Sequence, residues 1–307
     1  MPDGSPSCDG EPTRLATTRV DVVGGRFVQI RSQPRPSHGH ARIPPAPSPV
    51  VTPGMDVSVM TYCIALRLDE GLVFLADTRT NAGVDNVGTY RKLHVLRPSD
   101  DRLFVLESAG NLATTQEVLD RIERDLAEPG DGPNLASVDH LFEAALYIGG
   151  LNQEVARSHR DAFANSRDAT ATFIVGGQVG DEAPDILLVY PEGNYIRASD
   201  ERPFLQIGES KYGKFLLEVG IHSGVDMVTG LKVALSSMIS TTRANLSVGP
   251  PYDVGLYEND SHTLAEFRVP AQSPALIRLE RFWGERLLDA MSELPAISPA
   301  DVVPISE

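Results

Sequence analysis

The chain predicts an α+β fold, and three observations carry that prediction. Short apolar runs of strand length come in blocks, separated by blocks of helical pattern. The order is strands, two helices, strands, one helix, strands, one helix, which suits layered sheets and helices better than a doubly wound parallel sheet. The helical blocks carry apolar stripes at three- and four-residue spacing, and no internal repeat interrupts the order.

The orderly pattern starts at Met60. Thr61–Leu68 is mostly apolar, with enough alternation to read as a strand. Asp69-Glu70-Gly71 supplies a turn, and Leu72–Ala76 runs apolar into Asp77. Leu93–Leu96 and Leu103–Leu106 read as further strands around a turn at Pro98–Asp101. Val118, Leu119, Ile122 and Leu126 form the stripe of one helix, and Leu141, Ala145, Ile148, Leu151 and Val155 that of a second. Strands return at Ala171–Val175 and in a hairpin of Ile186–Tyr190 with Tyr195–Ala198. A helix spans about 224–244, with Ser223 and Asp226 placed as a capping box. Strands near Tyr252–Tyr257 and Thr263–Val269 follow, and a terminal helix is predicted near 281–294.

Residues 1–59 are set apart from this. They hold 10 of the 23 prolines and no lysine, and runs such as Ile43-Pro44-Pro45-Ala46-Pro47 cannot pack as helix or central strand. The division is therefore a disordered extension over 1–59 and a folded domain over 60–307. A disordered tail, a propeptide and upstream sequence read from a misassigned start are three accounts of the extension, and the last is favoured.

Composition narrows the function classes. The net charge of −15 in 307 residues falls almost wholly after residue 59, where 21 basic residues face 37 acidic ones. That balance argues against nucleic acid and against anionic membranes as partners. No apolar run approaches the roughly 18 residues of a membrane span, and no secretory signal opens the chain. Cys8 and Cys63 make no disulfide framework and suit a cytoplasmic location. The seven histidines lack metal-ligand spacing, so no metal is expected.

The chemistry rests on Thr61, Asp77 and Lys92. Removal of Met60 would leave Thr61 N-terminal, with hydroxyl nucleophile and α-amino base in one residue. A free α-amino group titrates at about 7.7–8.0, close to the operating pH of a general base. A neighbouring ammonium lowers that value further by like-charge repulsion. Lys92 fits the ammonium, and Asp77, at the end of the second strand, fits the acid that orients it. Lysine at 92 is informative because the chain uses only four lysines against 23 arginines. Gly110, in Ser108-Ala109-Gly110-Asn111 between a strand and a helix, is placed to donate its amide to an oxyanion. Taken singly, Thr61 is a strand threonine, Asp77 a turn residue, Lys92 a surface charge and Ser247 a turn or cap residue. Cys63 reads as a small core residue facing the same side as Thr61.

Met60-Thr61-Tyr62-Cys63, Ala76-Asp77-Thr78-Arg79-Thr80-Asn81-Ala82-Gly83, Arg91-Lys92-Leu93 and Ser108-Ala109-Gly110-Asn111 together resemble the proteasome-type threonine proteases, and within them Anbu, the bacterial ancestral beta subunits. Ile207-Gly208-Glu209-Ser210-Lys211-Tyr212-Gly213-Lys214 and Asn245-Leu246-Ser247-Val248-Gly249 are similar to the same family, and the likeness covers roughly 60–295. It implies an N-terminal-nucleophile hydrolase fold, a four-layer α-β-β-α sandwich. It places nucleophile and amine base on Thr61, orienting acid on Asp77, ammonium on Lys92 and oxyanion amide on Gly110. Arg79 would support the turn that holds Asp77, and Thr80 would border the substrate pocket.

Two departures stand out: Met60 precedes the threonine where self-maturing proteasome subunits carry glycine, and Ala244 replaces the aspartate of their Asp-x-x-Ser-Gly motif. The resemblance implies a threonine-type endopeptidase or amide hydrolase that needs no cofactor, with a peptide or amide substrate and assembly into a homo-oligomeric ring or open helical ring. A self-assembling scaffold with little proteolytic turnover is the alternative, and no residue pattern identifies an unfoldase partner.

Overall fold

Strands that read as nearly continuous apolar runs are buried on both faces. Here that holds for β3 (Tyr62–Leu68) and β4 (Gly71–Asp77), which pair antiparallel with Cys63 opposite Ala76. The computed structural model describes residues 22–23, 26–27, 61–81, 87–130, 132–159 and 170–297. The expectations for the 1–59 extension and for Met60 lie almost entirely outside these. Within the extension the structure gives one short antiparallel ladder, β1 (Val22–Val23) with β2 (Arg26–Phe27), in a unit of its own covering Met1–Pro45.

Two five-stranded antiparallel sheets carry the rest. In the first, β12 (Phe204–Gly208), β3, β4, β13 (Tyr252–Glu258) and β14 (Leu264–Val269) lie in that spatial order. The second runs β11 (Tyr195–Arg197), β10 (Asp185–Val189), β9 (Ala171–Val179), β8 (Arg102–Gly110), β7 (Leu93–Ser99). A small pair, β5 (Arg79–Asn81) with β6 (Val87–Thr89), lies between β4 and β7 in sequence.

The side-chain alternation of each strand sorts residues into three cores. Cys63, Ala65, Phe74 and Ala76 of the first sheet meet Leu103, Val105, Ile174 and Ile186 of the second in a shared inner core. On its other face the second sheet packs Phe104, Leu106 and Phe173 against helices α1 (Leu112–Ala127) and α2 (Leu141–Ser158). The first sheet packs Ile64, Leu66 and Leu75 against α3 (Lys214–Gly220), α4 (Met227–Ala244) and α5 (Pro274–Ser292). Each fully buried Leu, Ile or Phe contributes about 1.5–3 kcal/mol, so these three cores dominate the stability.

Several boundaries differ from the sequence expectation for identifiable reasons. β7 continues through Pro98 to Ser99, because it is an edge strand whose register slips between Leu96 and Ser99, where a missing N–H is tolerated. Asp226 is itself the N-cap of α4, accepting from the Thr229 N–H at 2.9 Å, rather than the far member of a box begun at Ser223. α5 starts seven residues before the expected Arg281, because Pro274 sits in its first turn, where proline is favoured. β12 and α3 were not expected as elements; at five and seven residues they are too short for a periodic signal. Among the described residues no helix is long and apolar enough to cross a membrane.

Candidate active site

Thr61 immediately precedes β3, and Asp77 is the last residue of β4. Antiparallel pairing therefore sets the aspartate beside the start of β3, and the Tyr62 backbone N–H donates to Asp77 Oδ1 at 2.9 Å. Lys92 arrives from the other sheet, as the residue before β7. Its ammonium donates to the same Oδ1 at 2.7 Å and to the Arg79 carbonyl at 2.7 Å. The sequence suggested three successive neighbouring segments; instead the ion pair joins the ends of two stacked sheets. Thr61 and Lys92 are each 3% exposed and Asp77 is 0% exposed, so the group is sealed from bulk water.

Burial pushes the Asp77 carboxyl above its ordinary value, and the Lys92 ammonium with the Tyr62 and Gly249 amides acts against that push. The Gly249 N–H reaches Asp77 Oδ2 at 3.3 Å. The loop carrying Gly249 is gripped by Arg79, whose guanidinium donates to the Leu246 carbonyl at 2.7 Å. The sequence expected Arg79 to support the turn holding Asp77; its guanidinium instead bonds the loop whose Gly249 amide reaches Asp77. The Lys92 ammonium has three donors. Two are engaged on Asp77 and Arg79, which leaves one for the cavity that Lys92 lines.

That cavity brings the expected residues together. Thr61, Thr80, Lys92 and Gly110 all line it, with Asp77 behind the lysine. Gly110 closes β8 with φ +110°, a backbone conformation that disfavours a side chain, and an added Cβ would lie 2.5 Å from the Thr170 carbonyl oxygen. The next residue, Asn111, caps α1 by accepting from the Thr114 N–H at 3.1 Å, so Gly110 borders the positive end of that helix.

Glu209 and Gly208 at the site were given no role by the sequence. Glu209 is buried, and its N–H donates to the Thr61 carbonyl at 2.6 Å while its carboxylate accepts from Asn245 Nδ2 at 3.1 Å. Gly208, with φ +83°, lies so close that a Cβ there would sit 1.8 Å from the Thr61 carbonyl oxygen. Both belong to the motif at 207–214 whose family likeness was noticed without a role for either. Ser247 donates its backbone N–H to Asn245 Oδ1 at 3.0 Å, in keeping with a turn residue. Cys63 is fully buried, its thiol pushed well up by burial, and it faces the inner core. Glu107, also fully buried in β8, has no side-chain hydrogen-bond partner on either carboxylate oxygen. Among the described residues no cluster of three or more His, Cys, Asp or Glu could hold a metal ion.

Comparison with known proteins gives a consistent set of neighbours. No family model matches the chain, and no curated protein matches it. Among solved structures it is similar to Anbu (ancestral beta-subunit) from Yersinia bercovieri, at 39% identity and TM-score 0.72, over 78% of this chain and 100% of that one. It is similar to Anbu from Hyphomicrobium sp. strain MC1 at 41% identity and TM-score 0.71, over 78% and 100%. A structure described as the helical assembly of the Anbu complex from Pseudomonas aeruginosa matches at 38% identity and TM-score 0.73, over 78% and 99%.

Proposed function

The chain belongs to the Anbu (ancestral beta-subunit) family, and from that premise we propose that it is a threonine-type amide hydrolase working through an acyl-enzyme on N-terminal Thr61. The two stacked sheets with helices outside each are, in this reading, the four-layer α-β-β-α sandwich of N-terminal-nucleophile hydrolases. The observation that carries the proposal is the buried network in which Asp77 Oδ1 holds both the Lys92 ammonium and the Tyr62 amide that follows Thr61.

The chemistry requires a mature chain that begins at Thr61. The α-amine takes the proton of the threonine hydroxyl as its oxygen attacks the substrate carbonyl. The Lys92 charge keeps that amine neutral near physiological pH and stabilises the alkoxide that forms. The Gly110 amide serves the tetrahedral oxyanion, at the positive end of α1. Collapse expels the leaving amine, which takes the proton back and leaves an ester on Thr61. Water, deprotonated by the same amine, then hydrolyses the ester and restores the hydroxyl.

A cytoplasmic homo-oligomer, ring or open helical ring, is the assembly proposed. The relative described as a helical assembly supports it, and so do the exposed apolar side chains of α5, among them Phe282, Leu288 and Met291. These same two observations favour a second reading, a self-assembling particle with little turnover. Intact mass and N-terminal sequencing of the protein from its native locus, followed by labelling with a β-lactone, separate the two. A chain starting at Thr61 that gains the label there supports the hydrolase. A chain whose threonine stays internal and unlabelled leaves the scaffold.

A further inference from the structure

The cavity in front of Thr61 is about 10 Å³, the room of roughly one water molecule. Its walls are fixed rather than yielding. Tyr90 donates its backbone N–H to the Thr78 carbonyl at 2.7 Å, and its ring centroid lies 6.0 Å from that of His94. Its hydroxyl is hydrogen-bonded to the Gln116 side chain on α1. The backbone of Tyr90 is thus held at Thr78, and the ring cannot swing aside without losing the His94 contact and the tie to Gln116. Across from it, α1 presents Leu112 and the buried Thr115 in its first turn. The lining is otherwise short-chained, with hydroxyls from Thr80 and Thr115 and the small residues Ala109 and Gly110. Among the described lining residues Lys92 is the one charge, and none is a carboxylate.

We infer that this cavity selects the side chain on the acyl side of the scissile bond, that it takes small uncharged side chains (glycine, alanine or serine), and that Tyr90 and Leu112 set the limit. The inference rests on Thr61 being the nucleophile. Alanine's methyl is about the size of the water the cavity can hold. Leucine and phenylalanine would have to displace a ring held by His94 and Gln116, and overpacking a tight site is costly. A basic side chain meets the Lys92 ammonium and no carboxylate among the described lining residues, while an acidic one, although Lys92 keeps one donor toward the cavity, brings a carboxylate larger than a one-water space. The wall residues belong to separate segments, Tyr90 to the stretch before β7 and Leu112 to the start of α1, so each can be changed alone.

The test uses peptide epoxyketones that differ only in the side chain next to the reactive ketone: alanine, leucine, phenylalanine, arginine or aspartate. The protein is taken from its native locus, and the rate of mass gain at Thr61 is followed. The alanine probe is expected to label at least tenfold faster than any other, in line with what one or a few methylenes cost in a tight pocket. Leu112→Ala and Tyr90→Ala are each expected to raise the leucine rate relative to the alanine rate by about tenfold or more. Tyr90→Phe, which keeps the ring, is expected to keep the alanine preference. Equal rates, or leucine or phenylalanine ahead of alanine, overturn the pocket assignment and leave the nucleophile standing. Failure of all five probes and of a small β-lactone overturns the nucleophile, and the pocket assignment with it.

Discussion

Lys92 Nζ donates to Asp77 Oδ1 at 2.7 Å, and this ion pair ties the end of one sheet to the start of a strand in the other. Both side chains are almost wholly excluded from solvent, at 4% and 0% exposure. A buried pair of this kind gains little over a well-packed apolar pair, but removing one partner strands the other charge. Its retention beneath a cavity lined by Thr61 is therefore better explained by chemistry than by stability.

Lys92→Arg keeps the charge and is still expected to abolish turnover. The ammonium donates at 2.7 Å both to Asp77 and to the Arg79 carbonyl, beside a cavity of about 10 Å³. A planar guanidinium cannot make both contacts from the same point without filling that space. The loss should be on the order of 10²-fold or more in β-lactone labelling at Thr61. Retention of wild-type labelling would show that only net charge matters there.

Asp77→Asn is expected to hurt both stability and chemistry. It leaves the Lys92 charge buried without a counter-charge, which costs roughly 3–5 kcal/mol. In the wild type, burial raises the Asp77 carboxyl, so protonation begins above the ordinary carboxylate range as pH falls. Protonated Asp77 no longer fixes Lys92, and the α-amine must itself be neutral to act, so both protonations should cut labelling as pH falls and the acid limb should be steeper than one titrating group gives. An acid limb that fits a single proton would remove Asp77 from this role.

Much of the site could be read because its residues announce themselves by spacing and rarity. Thr61 and Asp77 end adjacent strands, and Lys92 is one of four lysines in the chain. Gly110 stood out at a strand-to-helix junction, where it indeed takes φ +110°. What stayed hidden depends on pairing between distant segments. Glu209 reaches the Thr61 carbonyl only because β12 pairs with β3, and β12 is five residues long. The expected strand stopped at Leu106, whereas β8 runs on to Gly110 and carries Glu107 into the inner core. The edge position of β7, which lets Pro98 remain in a strand, is likewise a property of the sheet and not of the local sequence.

Gly110→Ala is expected to destabilise the chain, because the new methyl would meet the Thr170 carbonyl oxygen at 2.5 Å in a conformation that side chains rarely adopt. Strain of this sort costs on the order of 1–3 kcal/mol, a fall in Tm of roughly 2–4 °C per kcal/mol for a chain of this size. Gly132→Ala is the control: an added Cβ has nothing within 4 Å, and Tm should be unchanged. Equal melting of both variants would mean that the turn into α1 relaxes freely, and a rigid oxyanion amide could not then be placed there.

Glu107→Gln gives a prediction whose sign follows from burial. The carboxyl lies in the inner core with no side-chain partner on either oxygen, and desolvation raises it well above its ordinary value, with the Leu75 amide acting the other way. The folded chain therefore keeps a proton that the unfolded chain releases above about pH 4.3. This contribution is fully present below the unfolded value and is lost as pH rises through the raised folded value. Glutamine has nearly the same shape and does not titrate. The stability of the variant relative to wild type should thus improve as pH rises through that window, by up to about 1.4 kcal/mol per pH unit. Urea midpoints for both proteins, at one concentration and at about pH 5 and about pH 8, read the difference directly. A difference that does not change with pH would mean that Glu107 titrates alike in the folded and unfolded chains, and the carboxyl would then have to be solvated or paired rather than neutral in the core.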